Sequence, residues 1–344
     1  MTIDGGTTNT RVCILDDKNV IVQSTHPIGV RCYAVSKSKT KFLEGLSKAI
    51  RDTLDMAGVG PKDLQMVVAS GMITSNLGIY EIPHVKTPIG LEGLVEASQM
   101  AIIPKLMEIP ILFIPGVKNN CLNYNGDSFE NLEAMDIMRG EETETLGILK
   151  IKSLNGPLIM ILPGSHTKII KVDRYNQIVS CMTTMAGEIF NVLATKTILA
   201  DSIPQNLITQ IDKEYILKGA AISHKVGLTR GCFSIRVMSQ FLPIDENKRA
   251  NFLLGVVLGQ DLIAIKNSLA CSVKGDEKIV IGGPAPLRLA LYHLLSTQSD
   301  IKEEIIVLDD NAVGMSTAIG AREIGLRYLK KHGGKLIKKF YQNE

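Results

Sequence analysis

The chain lacks the features that mark several large classes of protein. Its six cysteines, Cys13, Cys32, Cys121, Cys181, Cys232 and Cys271, are scattered, with no CxxC pair and no short Cys/His cluster. That pattern argues against a zinc site or a disulfide framework and fits a reducing cytoplasm. No uninterrupted apolar run is long enough to span a bilayer, so no membrane association is expected, and no signal peptide is expected. The natural start is expected a few residues upstream, because little strand precedes Asp4.

Charge of one sign is also missing. The net charge is +3 over 344 residues with both signs dispersed, so no nucleic-acid partner is expected. The one lysine-rich stretch, Lys330, Lys331, Lys335, Lys338 and Lys339, reads as a solvated C-terminal face. There is no GxxxxGK[ST] segment, which excludes a P-loop protein, and no appended DNA-binding or interaction domain is expected. Hydrophobic residues make up 45% and charged residues 21%, the balance of a soluble globular protein with enough chain for two cores.

What is present is a repeat. Ile3-Asp4-Gly5-Gly6-Thr7-Thr8-Asn9-Thr10-Arg11-Val12-Cys13-Ile14-Leu15 lies alongside Ile161-Leu162-Pro163-Gly164-Ser165-His166-Thr167-Lys168-Ile169-Ile170-Lys171-Val172-Asp173. In this alignment Gly6 falls on Gly164, Thr7 on Ser165 and Ile14 on Val172, with Val20-Ile21-Val22 on Gln177-Ile178-Val179. Each copy reads as strand, tight turn, strand, polar turn, strand. A repeat at half the chain length predicts a duplicated domain, with boundaries 1–150 and 151–344. Apolar spacing predicts helices over 42–57, 92–106, 139–149, 187–199, 247–265, 286–295 and 312–328, with short strands at 65–69, 111–114 and 279–281. The polar stretch 119–133 reads as a surface loop. The fold class is therefore α/β, two domains around a cleft.

Three loops have the chemistry of a phosphate grip. In Gly5, Gly6, Thr7, Thr8 and Asn9, glycines let backbone N–H groups approach phosphate oxygens, and the side chains add neutral donors. Asp4, at a strand end, suits an outer-shell hold on hydrated magnesium, although the string would also serve as a plain hairpin turn. Gly164, Ser165, His166, Thr167 and Lys168 form the second loop, in which Lys168 either reaches phosphate or points outward. Gly282 and Gly283, between a strand and a helix, can admit adenosine closely, as any strand-to-helix turn would look.

The order DGGTTNTR, MRGEET (138–143), LPGSHTK (162–168) and AGE (186–188) resembles the 2-dehydro-3-deoxygalactonokinases, sugar-acid kinases of the actin-like ATPase superfamily. The likeness runs through nearly the whole chain, including Ser70-Gly71-Met72-Ile73-Thr74-Ser75-Asn76. It implies two actin-like (ribonuclease H-like) domains and transfer of the ATP γ-phosphate, with magnesium, to the 6-hydroxyl of 2-dehydro-3-deoxy-D-galactonate. The two prolines in Gly282-Gly283-Pro284-Ala285-Pro286 depart from the family pattern.

Phosphoryl transfer needs positioning, charge neutralisation and a base for the acceptor hydroxyl. Glu141 is the favoured base or magnesium-water ligand, with Glu142 and Asp136 behind it; acids at 141 and 142 would equally complement a helix dipole. Arg139 either holds the substrate carboxylate or makes a structural ion pair, and Arg11 poses the same choice. Glu188 contacts substrate hydroxyls or caps its helix, and Ser75 and Asn76 contact substrate or form a turn. Two other functions fit these loops: a phosphohydrolase with water replacing the sugar, and a nucleotide-sensing module. Another sugar acid is the alternative substrate, and a homodimer is an open option.

Overall fold

The computed structural model describes residues 1–16, 19–32, 39–120, 129–204, 206–271, 273, 277–299, 301, 302 and 304–336. Much of the expected loop 119–133, Cys121, and Lys338 and Lys339 of the basic tail lie outside them. The chain divides into two compact units.

The first unit comprises Met1–Asn120, Ile137–Asn155 and Gly314–Glu344. Its strands are β1 (Thr2–Gly5), β2 (Thr10–Leu15), β3 (Val20–His26), β4 (Val67–Gly71), β5 (Val85–Lys86), β6 (Gln99–Ile103), β7 (Met107–Phe113), β8 (Val117–Lys118) and β9 (Ile137–Met138). Its main sheet runs β3-β2-β1-β4-β7-β6, and β5-β8-β9 forms a small one. Helix α1 (Lys39–Ala57) packs on the main sheet through Phe42, Leu46 and Ile50, each at most 2% exposed. Each such burial contributes about 1.5–3 kcal/mol. Further helices here include α2 (Leu91–Ala97) and α3 (Glu141–Ile151).

The second unit, Cys121–Asp136 and Gly156–Val313, holds β10 (Leu158–Leu162), β11 (Thr167–Val172), β12 (Ile178–Thr184), β13 (Lys278–Ile281) and β14 (Ile305–Val307). The strand order is β12-β11-β10-β13-β14. Around it pack α4 (Ala186–Lys196), α5 (Lys213–Val226), α6 (Leu228–Phe241), α7 (Glu246–Asn267) and α8 (Ala285–Leu295). Their apolar faces, with Leu253, Leu254, Leu258 and Leu262 of α7, join one core.

The two sheets share a strand topology. In both sheets the first strand pairs antiparallel with the second and parallel with the fourth, and the second pairs antiparallel with the third. Both third strands bulge at the same place: Ile14↔Val22 is followed by Leu15↔Val20, and Lys171↔Ser180 by Val172↔Ile178. The pairing also corrects the alignment. Ile14 corresponds to Lys171 and not Val172, and Val20 to Ile178 and not Gln177, because the second copy has a shorter first turn and a longer second one.

Two further expectations differ from the structure. The predicted helix 92–106 stops at Ala97, and Gln99–Ile103 instead pairs along β7 as an edge strand. Cross-strand partners outweigh helical spacing there. The single boundary after 150 is also replaced by several crossings. Helix α9 (Asp310–Leu336) begins in the second unit and from Gly314 belongs to the first. It crosses α3 at Gly147 and Gly320, where a Cβ would lie 1.7 Å from Ser316 O or 1.9 Å from Thr143 O.

Candidate active site

In the first unit, β1 delivers Asp4 between Arg11 of β2 and Ser70 of β4. The turn after it is closed by a Gly6 N–H bond to Asn9 O (2.9 Å) and leaves Thr7, Thr8 and Asn9 exposed. Gly5 abuts Ile73. Arg11 stands 3.9 Å from Asp4.

Helix α3 starts beside this strand end. Its preceding residue, Gly140, has φ 116°, open to glycine and strained for other residues, and a Cβ there would lie 3.3 Å from Gly71 Cα. The first turn then presents three acids. Glu142 is fully buried and accepts the Gly140 N–H through both oxygens (2.9 and 2.8 Å). Glu141 is half-buried and accepts the Arg139 N–H (3.1 Å). Glu144 accepts from Ser316 Oγ (3.2 Å).

These acids form one electrostatic group with Asp4. Burial, then the Glu141 charge, pushes Glu142 up to about 8. Burial, then Glu141 and Asp4, pushes Glu144 up to about 7. Burial raises Asp4 also, against the pull of Arg11 and with a push from Glu141. The mutual repulsion would be relieved by a cation. Among the described residues no three His, Cys, Asp or Glu side chains are placed to ligate an ion together.

Arg139 is committed locally. Its guanidinium donates to Thr74 O (2.8 Å), Thr74 Oγ1 (2.7 Å) and Ile82 O (2.9 Å), and meets His84 Nδ1 at 3.3 Å. These are contacts to carbonyls, a hydroxyl and an imidazole, and not the ion pair with a neighbouring acid expected of a structural role. Ser75 forms a turn, donating to Met72 O (2.7 Å), while Asn76 is exposed.

In the second unit, Ser165 and His166 are exposed at the tip of the β10–β11 turn. His166 Nε2 pairs with Glu188 Oε2 at 2.9 Å, and Glu188 N–H donates to Ser165 O (2.8 Å). Helix α4 approaches this turn so closely that a Cβ on Gly187 would lie 1.9 Å from Gly164 O, which explains the glycine of Ala186-Gly187-Glu188. Lys168 does not point outward. It is 7% exposed, donates to Thr183 Oγ1 (2.5 Å) and lies 3.8 Å from Asp136.

Asp136 accepts from Thr183 N–H (2.6 Å) and Thr183 Oγ1 (2.7 Å), within the second unit. Within its own unit Asp136 is grouped with Lys168, whereas Glu141 and Glu142 belong to the first unit.

A cavity of about 330 Å³ adjoins the turn, lined by Gly164, Ser165 and Gly187 and by Phe190, Leu254, Pro284, Pro286 and Leu287. Gly282 and Gly283 stand behind it: Gly282 N–H donates to Ile161 O (2.9 Å), and Gly283 packs on Pro163 O. Buried Arg288 donates to Gly283 O (2.9 Å) and pairs with Asp310. Sequence reasoning missed Phe190, Leu287, Arg288 and Glu144. For Glu144 a signal existed, since it is one helical turn beyond Glu141.

The profile of the family described as 2-keto-3-deoxy-galactonokinase matches residues 4–316. No curated protein matches significantly. Among solved structures, a candidate 2-dehydro-3-deoxygalactonokinase from Sinorhizobium meliloti superposes with a TM-score of 0.71 at 21% identity, covering 94% of this chain and 98% of that one. The activator of the 2-hydroxyisocaproyl-CoA dehydratase from Clostridium difficile, with bound ADPNP, superposes with a TM-score of 0.50 at 14% identity, covering 97% and 96%. At these identities the likeness is one of fold, the α/β actin-like architecture.

Proposed function

The chain belongs to the 2-keto-3-deoxy-galactonokinase family, and on that premise we propose that it transfers the γ-phosphoryl group of ATP to the 6-hydroxyl of 2-dehydro-3-deoxy-D-galactonate, releasing ADP and the 6-phosphate. The observation that carries this reading is the acid group at the head of α3 beside Asp4.

Glu141 is the base that takes the hydroxyl proton, because it is half-buried where Glu142 is sealed in. Glu142 holds the Gly140 N–H and with it the start of the helix. Exposed Thr7, Thr8 and Asn9 offer hydroxyl and amide donors to phosphate oxygens. In the second unit, Ser165 and His166 meet phosphate, and the apolar cavity beside them takes adenosine. Its volume falls in the range of small-molecule sites, and it shares Gly164 and Ser165 with the phosphate loop. Lys168, tied to Thr183 and Asp136, braces that loop.

Magnesium fits the residues present. Asp4 is a hard oxygen donor repelled by the nearby Glu141 charge, and few direct ligands suit an ion that keeps its waters. When bound, magnesium would neutralise charge on the nucleotide phosphates. The scattered cysteines, with no CxxC pair, support a reducing, cytoplasmic setting.

The test is ADP release from Mg·ATP over a panel of 2-keto-3-deoxy acids and aldonates, with a no-acceptor blank and the product's phosphate position read by NMR. Turnover confined to 2-dehydro-3-deoxygalactonate, with phosphate on carbon 6, is expected. Equal turnover in the blank would sink the reading in favour of a hydrolase.

A further inference from the structure

The cavity beside the phosphate turn has one wall that no helix or strand provides. Leu207 and Ile208 line it from a stretch, ahead of α5, that belongs to no regular element. Both are half-buried and pack on the core of the second unit. Leu207 holds left-handed backbone, φ 56°, which is costly for any residue with a side chain and persists only where its surroundings fix it. Its own N–H bond is local, to Pro204 O (2.9 Å). The hold on this stretch comes from elsewhere.

Two asparagines one helical turn apart on α7 supply it. Asn247 Oδ1 accepts from Thr209 N–H (3.0 Å), Thr209 Oγ1 (3.1 Å) and Gln210 N–H (3.2 Å), and its Nδ2 donates to Gln210 O (2.9 Å). Asn251 is fully buried. Its Nδ2 donates to Gln210 O (2.9 Å) and Asn247 O (2.8 Å), and its Oδ1 accepts Asp212 N–H (2.9 Å). These bonds satisfy backbone groups that have no ladder of their own, so they stand in for secondary structure. Leu254, three residues beyond Asn251 and on the same face of α7, lines the cavity directly. One helix face therefore forms part of the cavity and anchors the segment that completes it.

We propose that Asn247 and Asn251 are positioning residues for the nucleotide base. By clamping residues 209–212 to α7 they hold Leu207 and Ile208 as a wall for the base, and so set affinity for ATP and not the rate of transfer. This rests on the reading that the cavity takes adenosine.

The experiment compares Asn247→Ala, Asn247→Asp and Leu207→Ala, alone and with Leu207→Ala combined with Asn247→Ala. Folding is checked by thermal melting, and KM for Mg·ATP, KM for the sugar acid and kcat are measured. Asn247→Ala should raise KM for ATP about fivefold, with kcat and the sugar-acid KM within about twofold. Asn247→Asp keeps the oxygen that accepts three of the four bonds and should stay within about twofold of the unaltered chain. Because the clamp acts through the wall, the double variant should raise KM for ATP no more than about twofold beyond the larger single effect.

A folded Asn247→Ala protein with unchanged KM for ATP, or one that loses kcat instead, overturns the proposal, as do effects of Asn247→Ala and Leu207→Ala that simply multiply. Should Asn247→Ala not fold, Thr209→Val, which removes only the hydroxyl bond, carries the same expectation at about twofold. Leu287→Ala, on the α8 side of the cavity, separates the two layers of inference. If neither Leu287→Ala nor Leu207→Ala alters KM for ATP, the adenosine reading itself fails; if both alter it and Asn247→Ala does not, only the clamp fails.

Discussion

The two units open on the same hairpin and equip it differently. By strand pairing, Asp4 faces Arg11 on one side and Ser70 on the other. At the matching place in the second unit, Leu162 faces Lys168, and Gly282 follows the paired Ile161 and Ile281. The match extends to the next residue, since Gly71 and Gly283 both hold left-handed backbone, φ 81° and 72°. The scaffold is thus conserved between copies down to one glycine, while the acid at the strand end is present only in the first. Among the described residues, the first unit gathers Asp4, Glu141, Glu142 and Glu144 around its hairpin. The second surrounds its own with a close helix start, a braced lysine and an apolar cavity. The two copies share one frame and equip it with different side chains, acids in the first and a braced lysine beside an apolar cavity in the second.

That contrast can be broken from the chemical side first. Glu141→Gln should lower kcat about 10³-fold, within the range for a lost general base, with KM for ATP little changed. A loss below about tenfold at saturating substrate would return the base to Glu144 or Asp4.

The next effect is on stability. Glu142 holds its proton far more tightly in the folded chain, about 8 against the usual 4.5. A raised carboxyl favours the folded state at low pH, and that advantage is lost as pH rises from about 4.5 through 8. Glu142→Gln should therefore flatten the pH dependence of melting in that window, by at most about 5 kcal/mol. Parallel melting curves for both proteins between pH 5 and 9 would count against a buried, proton-holding Glu142.

On the gripping side, Gly187→Ala forces a methyl toward Gly164 O, at a cost of about 1–3 kcal/mol. The expectation is a raised KM for ATP with the sugar-acid KM intact, measured by initial rates. The smallest effect belongs to His166→Ala. The His166–Glu188 pair is about half exposed, so its loss should shift the melting temperature little, below about 1 kcal/mol, while raising KM for ATP a few-fold. A large melting shift would show that the pair is structural.

Much of this was legible in the sequence because it is local. A glycine turn between β-branched strands, an acid-rich helix start after Gly140 and the helical spacing of α1 each depend on neighbours a few residues apart. What was not legible depends on distant partners. Nothing near Arg139 indicates that its guanidinium will be used up by Thr74, Ile82 and His84. Asp136 lies five residues before Glu141 yet bonds Thr183. Gln99–Ile103 becomes a strand only because β7 lies beside it.

The path of α9 has a consequence for how the protein is made. Residues 156–313 are contiguous in the second unit, whereas the first unit needs Gly314 onward to cover the Gly147 face of α3. During synthesis the second unit has all of that stretch before the last helix has left the ribosome, and the first unit cannot close until it has. The helix that carries Glu141, Glu142 and Glu144 is therefore among the last parts to acquire its packing. A nascent chain stalled with Gly314 onward still inside the ribosome should resist protease across residues 156–313 while remaining cleavable around residues 141–151.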